Sequence, residues 1–201
     1  MRRARATRLP IDVFLLSLAV ILAACASEVT DESTSPEPQT EAYSAPAAAS
    51  PPADELLLNG VFVEEGVLAG GQPTSDQLDA LAAAGYRTVI NMRLPDEQGN
   101  TQAAAVEELG MTYVTVPVEG AAGLSEERTR AFAEAMAAAE GPVVVHCGSG
   151  NRVGALFALK AFYVDGQSVE DSVQLGVDAG MTRLEGAVRE HLAAAESAGD
   201  S

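Results

Sequence analysis

From about residue 54 onward, apolar residues come in two rhythms, short solid runs and longer stretches with a period near 3.6, which predict strands interleaved with helices. Leu56-Leu57-Leu58, Val61-Phe62-Val63 and Val67-Leu68-Ala69 read as short strands, joined by turns at Asn59-Gly60 and Glu64-Glu65-Gly66. Thr74 and Gln77 have capping-box spacing, and Leu78, Leu81 and Ala82 follow on one helical face until Gly85 stops it. Tyr86 to Met92 reads as a buried strand. After Pro95 comes a loop, then a helix from Ala103 to Leu109 closed by Gly110, and then a strand from Met111 to Val118. Ser125 opens the next helix, with Phe132, Ala135, Met136 and Ala139 on one face. Gly141-Pro142 ends it, and Val143 to His146 begins the most apolar strand of the chain. Val153 to Val164 is apolar nearly all round apart from Lys160, as a central helix should be, and helices over Val169 to Asp178 and Thr182 to Ala194 follow. The alternation implies an α/β fold with a mainly parallel central sheet flanked by helices. Ligands bind such sheets at the carboxyl ends of the strands, where Cys147, Arg93 and Glu119 each fall.

The pattern before residue 54 is different. Arg2, Arg3, Arg5 and Arg8 precede an apolar run from Val13 to Ala24 that is short for a membrane span and reads as a signal peptide over residues 1–24. Leu22-Ala23-Ala24-Cys25 resembles the lipobox of bacterial lipoproteins, which implies lipidation of Cys25 and an acyl anchor in the bacterial cell envelope, on the periplasmic or outer-membrane side. Ala26 after the cysteine favours the outer membrane. Residues 25–53 are rich in Ser, Thr, Glu, Pro and Ala without periodicity, which predicts a disordered tether ahead of a domain over residues 54–198.

The net charge is -17, and the arginine-rich leader contributes +3, leaving -20 for the rest. That excludes duplex nucleic acid or an anionic lipid surface as a natural electrostatic partner, leaving the lipid anchor as the expected membrane contact. Lys160 is the only lysine, so arginines carry nearly all the positive charge. His146 and His191 with one cysteine outside the lipobox make no metal-ligand set, and no metal or cofactor is expected.

Candidate chemistry concentrates in Pro142 to Gly154. Cys147 ends the apolar strand, Gly148-Ser149-Gly150 forms a turn without bulk, and Arg152 lies where a helix begins. Turn amides, the positive end of a helix dipole and a guanidinium together favour a thiolate and an oxyanion beside it. A lone cysteine in such a place is ordinarily a small buried hydrophobe. The two glycines and Arg152 in a strand-turn-helix setting instead point to an anion or nucleophile site. His146, on the opposite side of the strand, is expected to stabilise the loop by hydrogen bonding.

Gly71-Gln72-Pro73-Thr74, the run Leu81 to Asn91 with Arg93, and His146-Cys147-Gly148-Ser149-Gly150-Asn151-Arg152 resemble the β-lactamase-hydrolase-like phosphatase domain. That domain is a bacterial branch of the protein tyrosine and dual-specificity phosphatase superfamily, and the resemblance runs from about Leu56 to Tyr163. It implies a cysteine phosphatase-like fold, Cys147 as nucleophile and Arg152 as oxyanion ligand. It further implies that the amides of Gly148, Ser149, Gly150 and Asn151 bind a phosphorylated small molecule or protein, hydrolysed through a thiophosphate intermediate. Two features depart from the superfamily pattern. Four residues separate Cys147 from Arg152, one fewer than in most such phosphatases, a spacing usual in rhodanese sulfurtransferases and similar also to this phosphatase-like branch, and Val153 replaces the usual hydroxyl residue. Glu119 is the nearest carboxylate for the general-acid role, with Asp96 or Glu97 able to approach from the preceding loop. A persulfide-carrying sulfurtransferase on the same cysteine, or a catalytically weak module binding an anion or a partner, are the alternatives.

Overall fold

Val143, Val144 and Val145 leave no face for water, and a strand of that kind folds only between two layers of helices. In the computed structural model, which describes residues 51–98 and 101–199, they do occupy the middle of such a sandwich. The expected leader, Cys25 and all but the last three tether residues lie outside the described residues. The described residues all belong to one compact unit.

The elements run in the order α1 (Ala53–Leu56), β1 (Val61–Glu64), β2 (Val67–Gly70), α2 (Ser75–Ala83), β3 (Thr88–Asn91), α3 (Pro95–Gln98) and α4 (Thr101–Glu108). They continue with β4 (Thr112–Thr115), a 3₁₀ turn Gly120–Gly123, α5 (Glu126–Ala138), β5 (Val143–His146), α6 (Asn151–Tyr163), α7 (Val169–Asp178) and α8 (Glu185–Gly199). The sheet order is β1-β2-β5-β3-β4, with only the β1–β2 pair antiparallel. β2, β3 and β5 are buried at every position, whereas edge strand β1 alternates between half-buried and exposed. The mainly parallel α/β architecture is therefore the one the hydrophobic pattern predicts.

Alternate strand residues serve opposite layers. Leu68, Val89 and Val144 pack with Leu57, Leu78, Leu81 and Val106 from α1, α2, α4 and their flanks. Ala69, Ile90, Val145 and Cys147 pack with Phe132 of α5 and Leu156, Phe157 and Leu159 of α6. Phe132 and Phe157 meet edge to face at 5.2 Å between ring centroids. α6 is buried nearly all round. It touches α7 backbone to backbone: a Cβ at Gly154 would lie 2.4 Å from the Gly176 carbonyl oxygen and 2.3 Å from the Met181 nitrogen.

Several expected boundaries shift. Leu56-Leu57-Leu58 is no strand: Leu56 ends a helical turn with Asp54 and Glu55 in its first turn, and Leu57 and Leu58 lead into a left-handed Asn59 (φ 52°). Successive Leu56 and Leu57 are both buried while Leu58 is 56% exposed, a pattern no one-sided strand gives. Pro95 begins a short helix instead of breaking the chain into loop, since proline's missing N–H costs nothing in a first helical turn. β4 stops at Thr115 rather than Val118: Val116 N–H still donates to the Asn91 carbonyl at 2.9 Å, but Val118 N–H then turns to the Met92 carbonyl at 3.1 Å, one residue short of the ladder register. The last helix begins at Glu185, not Thr182, since the N–H groups of Thr182 and Leu184 bind the Asn151 side chain.

Candidate active site

The cross-strand row Gly70, His146, Asn91 and Thr115 closes the sheet, and the residues after it form its carboxyl rim. Cys147 keeps one further bond to β2, its N–H donating to the Gly70 carbonyl at 3.2 Å. The chain then turns. Ser149 forms a bridge to Gly71, and its carbonyl accepts from Asn59 Nδ2 at 3.1 Å, so the outside of the loop is fastened to the α1–β1 side. Gly150, at φ 91°, makes the left-handed step into α6 that a side chain would resist. Its N–H then points at the Cys147 sulfur, 3.2 Å away, a hydrogen bond that strengthens when sulfur carries negative charge. Cys147 is 1% exposed.

Arg152 reaches back over the loop. Its Nη2 lies 3.5 Å from the position a Cβ would take at Gly148. Nη1 donates to the carbonyls of Val118 at 3.2 Å and Met92 at 3.5 Å, tying three loops of the rim to one guanidinium. Both terminal nitrogens also grip Glu97, at 2.7 and 2.9 Å. Glu97 accepts the Leu94 N–H at 3.1 Å, and Arg93 donates to its main-chain carbonyl. The Arg152 hydrogen bond, helped by Leu94 and the charge of Arg93, holds the Glu97 carboxyl at about 2, well below its ordinary value. The same pair raises the Arg152 value, with the Cys147 sulfur a lesser contributor.

His146 is fully buried, and its Nδ1 lies 3.4 Å from the Cys147 carbonyl, the loop-supporting position expected of it. Burial pushes its pKa down to about 4, so it is neutral at neutral pH. Asn151 contributes only backbone to the loop. Its Oδ1 accepts from Thr182 N–H at 2.8 Å, Thr182 Oγ1 at 3.2 Å and Leu184 N–H at 3.3 Å, which pins the α7–α8 connection to the head of α6.

Of the residues singled out from sequence, Cys147, Gly148, Ser149, Gly150 and Arg152 come together as one site. Glu119 is exposed at the start of the 3₁₀ turn, its side chain capping nothing, although its neighbour Val118 supplies a carbonyl to Arg152. Glu97, which the sequence offers only as a second choice to Glu119, is the carboxylate that meets the arginine. Its i, i+4 spacing from Arg93 across a short helix is the one sequence sign of that role. Thr74 and Gln77 form the predicted capping box, and Gln72 is half-buried before it. His191 is not a plain surface residue: it is half-buried, with Nε2 3.0 Å from the Tyr163 hydroxyl.

Residues 61–163, just over half of the chain, match the family described as beta-lactamase hydrolase-like protein, phosphatase-like domain. The chain belongs to that family. It is similar to the beta-lactamase hydrolase-like protein of Xylella fastidiosa, with 38% identity over 119 residues, covering 57% of this chain and 27% of that one. It therefore spans about a quarter of the curated relatives' length. Among solved structures it resembles a candidate phosphatase of Neisseria meningitidis, at TM-score 0.56 and 25% identity over 67% of this chain and 96% of the other. The core catalytic domain of the PP-IP phosphatase SIW14 of S. cerevisiae shares the fold, at TM-score 0.53 and 15% identity over 67% and 84% of the two chains. The family's phosphatase-like fold is thus the fold of this chain.

Proposed function

We propose that the chain is a cysteine-dependent phosphatase acting on a phosphomonoester of a small molecule or protein. The observation that carries this reading is the Gly150 N–H on the Cys147 sulfur at 3.2 Å, with Arg152 in the same turn at the carboxyl rim of a parallel sheet. The Cys147 thiolate attacks phosphorus, an S–P bond forms, and the P–O bond to the leaving group breaks. Arg152 and the loop amides from Gly148 to Asn151 stabilise the equatorial oxygens. Glu97, held ionised, has no proton to give. Glu119, next to Val118 on the rim, is left to protonate the leaving oxygen and then to take a proton from the water that cleaves the S–P bond. No step calls for a metal. The test is mass spectrometry of the full chain, acid-quenched during turnover of an aryl phosphate. A phosphoryl group on Cys147 is expected, and its absence during sustained turnover would refute the mechanism.

A second reading has its own support. The four-residue loop makes a narrow cup, and the Arg152 fork is already engaged by Glu97. A sulfur atom carried on Cys147 needs only the loop amides. In that reaction the thiolate attacks the outer sulfur of thiosulfate, sulfite leaves, and the persulfide passes its sulfur to a nucleophile such as cyanide, regenerating the thiolate. A module that binds an anion without turnover is what remains if neither product forms. The reading extends to the amino terminus: lipidation at Cys25 after removal of residues 1–24, with a tether holding the domain in the cell envelope. Loss of fatty-acid labelling in Cys25→Ser tests this.

A further inference from the structure

Glu97 occupies the two terminal nitrogens that Arg152 would offer to a bound oxyanion. Its two oxygens take Nη1 and Nη2 at 2.7 and 2.9 Å, the paired geometry a guanidinium offers equally to a carboxylate or to two oxygens of a phosphoryl group. Arg152 does not depend on this contact for its position. Nη1 also has the Val118 and Met92 carbonyls, and the side chain is 15% exposed. Glu97 does not depend on it either. Oε1 accepts the Leu94 N–H, and Oε2 lies 3.6 Å from Arg93 Nε. Glu97 also stands on a helix of only four residues with its side chain 32% exposed, so it can swing from one guanidinium to the other without opening the core.

The charge balance shows what such a swing would do. Arg93 and Arg152 together offset Glu97 and a Cys147 thiolate. A phosphate dianion added to that set brings it to a net charge of -2 and, on the fork, sets its oxygens against the Glu97 carboxylate; moving Glu97 onto Arg93 leaves the sum unchanged but separates the two anions and gives each its own guanidinium.

We propose that Glu97 is a specificity-determining residue, an internal carboxylate that occupies the Arg152 fork until an oxyanion exchanges it onto Arg93. The proposal rests on the reading of the cradle as an anion site and deepens it. A dianionic oxyanion enters only by outcompeting Glu97, whereas a group that touches only the cysteine sulfur and the loop amides meets no such competitor. Glu97 thereby sets a threshold for phosphoryl groups that the cradle itself does not impose.

The test is calorimetric titration of the full chain with inorganic phosphate at neutral pH, comparing wild type with Glu97→Gln and Glu97→Ala, each checked for an intact thermal transition. Removing the competing charge is expected to tighten phosphate binding about tenfold in both variants. Arg93→Gln, which removes the second berth of the displaced carboxylate, is expected to weaken it severalfold. Unchanged or weaker binding in the Glu97 variants overturns the exchange, showing that Glu97 only positions Arg152, and leaves the phosphatase reading standing. Absence of phosphate binding in every protein overturns the exchange together with the anion-site reading, a case that Cys147-dependent phosphate turnover separates independently.

Discussion

Gly154→Ala is the substitution most damaging for its size. The new Cβ would sit 2.3 Å from Met181 N and 2.4 Å from Gly176 O, about 1 Å inside ordinary contact, and 2.8 Å from Met181 Cβ. The first two atoms are backbone and cannot rotate aside. They are also the two ends of one hydrogen bond, Met181 N–H to Gly176 O at 2.8 Å, so the methyl group wedges into it. Overpacking costs about 1–3 kcal/mol, and a strained buried hydrogen bond about 1–3 more. Better helix propensity of alanine returns about 1. A net loss of about 3 kcal/mol should lower the melting temperature by about 6–12 °C for a domain of this size. Thermal circular dichroism of the full chain measures it. Gly186→Ala in α8 is the control: nothing lies within 4 Å of its new Cβ, and it should gain about 0.5–1 kcal/mol. Since α6 also carries Arg152 and starts directly after Gly150, turnover should fall with stability in Gly154→Ala alone. A Gly154→Ala protein melting within about 2 °C of wild type would refute the backbone-contact account of the α6–α7 crossing.

Asn151→Ala should cost about 1–2 kcal/mol by leaving the Thr182 and Leu184 N–H groups without their acceptor, read as a lowered urea midpoint. His146, buried neutral, takes up its proton at about 4 in the folded chain and at 6.5 when unfolded. Stability is therefore full above pH 6.5 and declines as pH falls toward 4, by about 3 kcal/mol, and urea midpoints unchanged between pH 7 and 4.5 would contradict this. Glu97 acts in a lower window. Its folded value of about 2 lies below the ordinary 4.5, so its contribution is present above pH 4.5 and lost as pH falls through 2; allowing for its exposure it amounts to about 1 kcal/mol. Glu97→Gln should remove that lower step from the acid-unfolding curve and leave the upper one. Glu119→Gln should slow phosphate release from an alkyl phosphate by about 100-fold, and much less from an activated aryl phosphate. Equal losses on the two substrates would rule out a role in protonating the leaving group.

The strands and helices that position the site were legible because their apolar runs are long or strictly periodic. Val143 to Val145 and the all-round apolar helix after Arg152 have no place but a sandwich centre, and α7 has the predicted bounds Val169–Asp178. Cys147, its glycines and Arg152 were legible for a related reason. They are contiguous, so local geometry alone brings them together. Glu97 was not, because its partner Arg152 lies 55 residues away and meets it only once β3 and β5 are paired. The side chain of Asn151 was hidden in the same way, its acceptor role being set by a connection 31 residues on. The leucine triplet at 56–58 misleads because three apolar residues fit a strand or a helical turn equally, and only Asn59's left-handed backbone and the exposure of Leu58 decide.

The most direct test of the account is turnover by the full chain on an aryl phosphate, and on thiosulfate with cyanide, measured side by side for wild type and Cys147→Ser. The account predicts phosphate release by wild type that the substitution abolishes. Cys147-dependent thiocyanate formation without phosphate release, or phosphate release that survives Cys147→Ser, would contradict it.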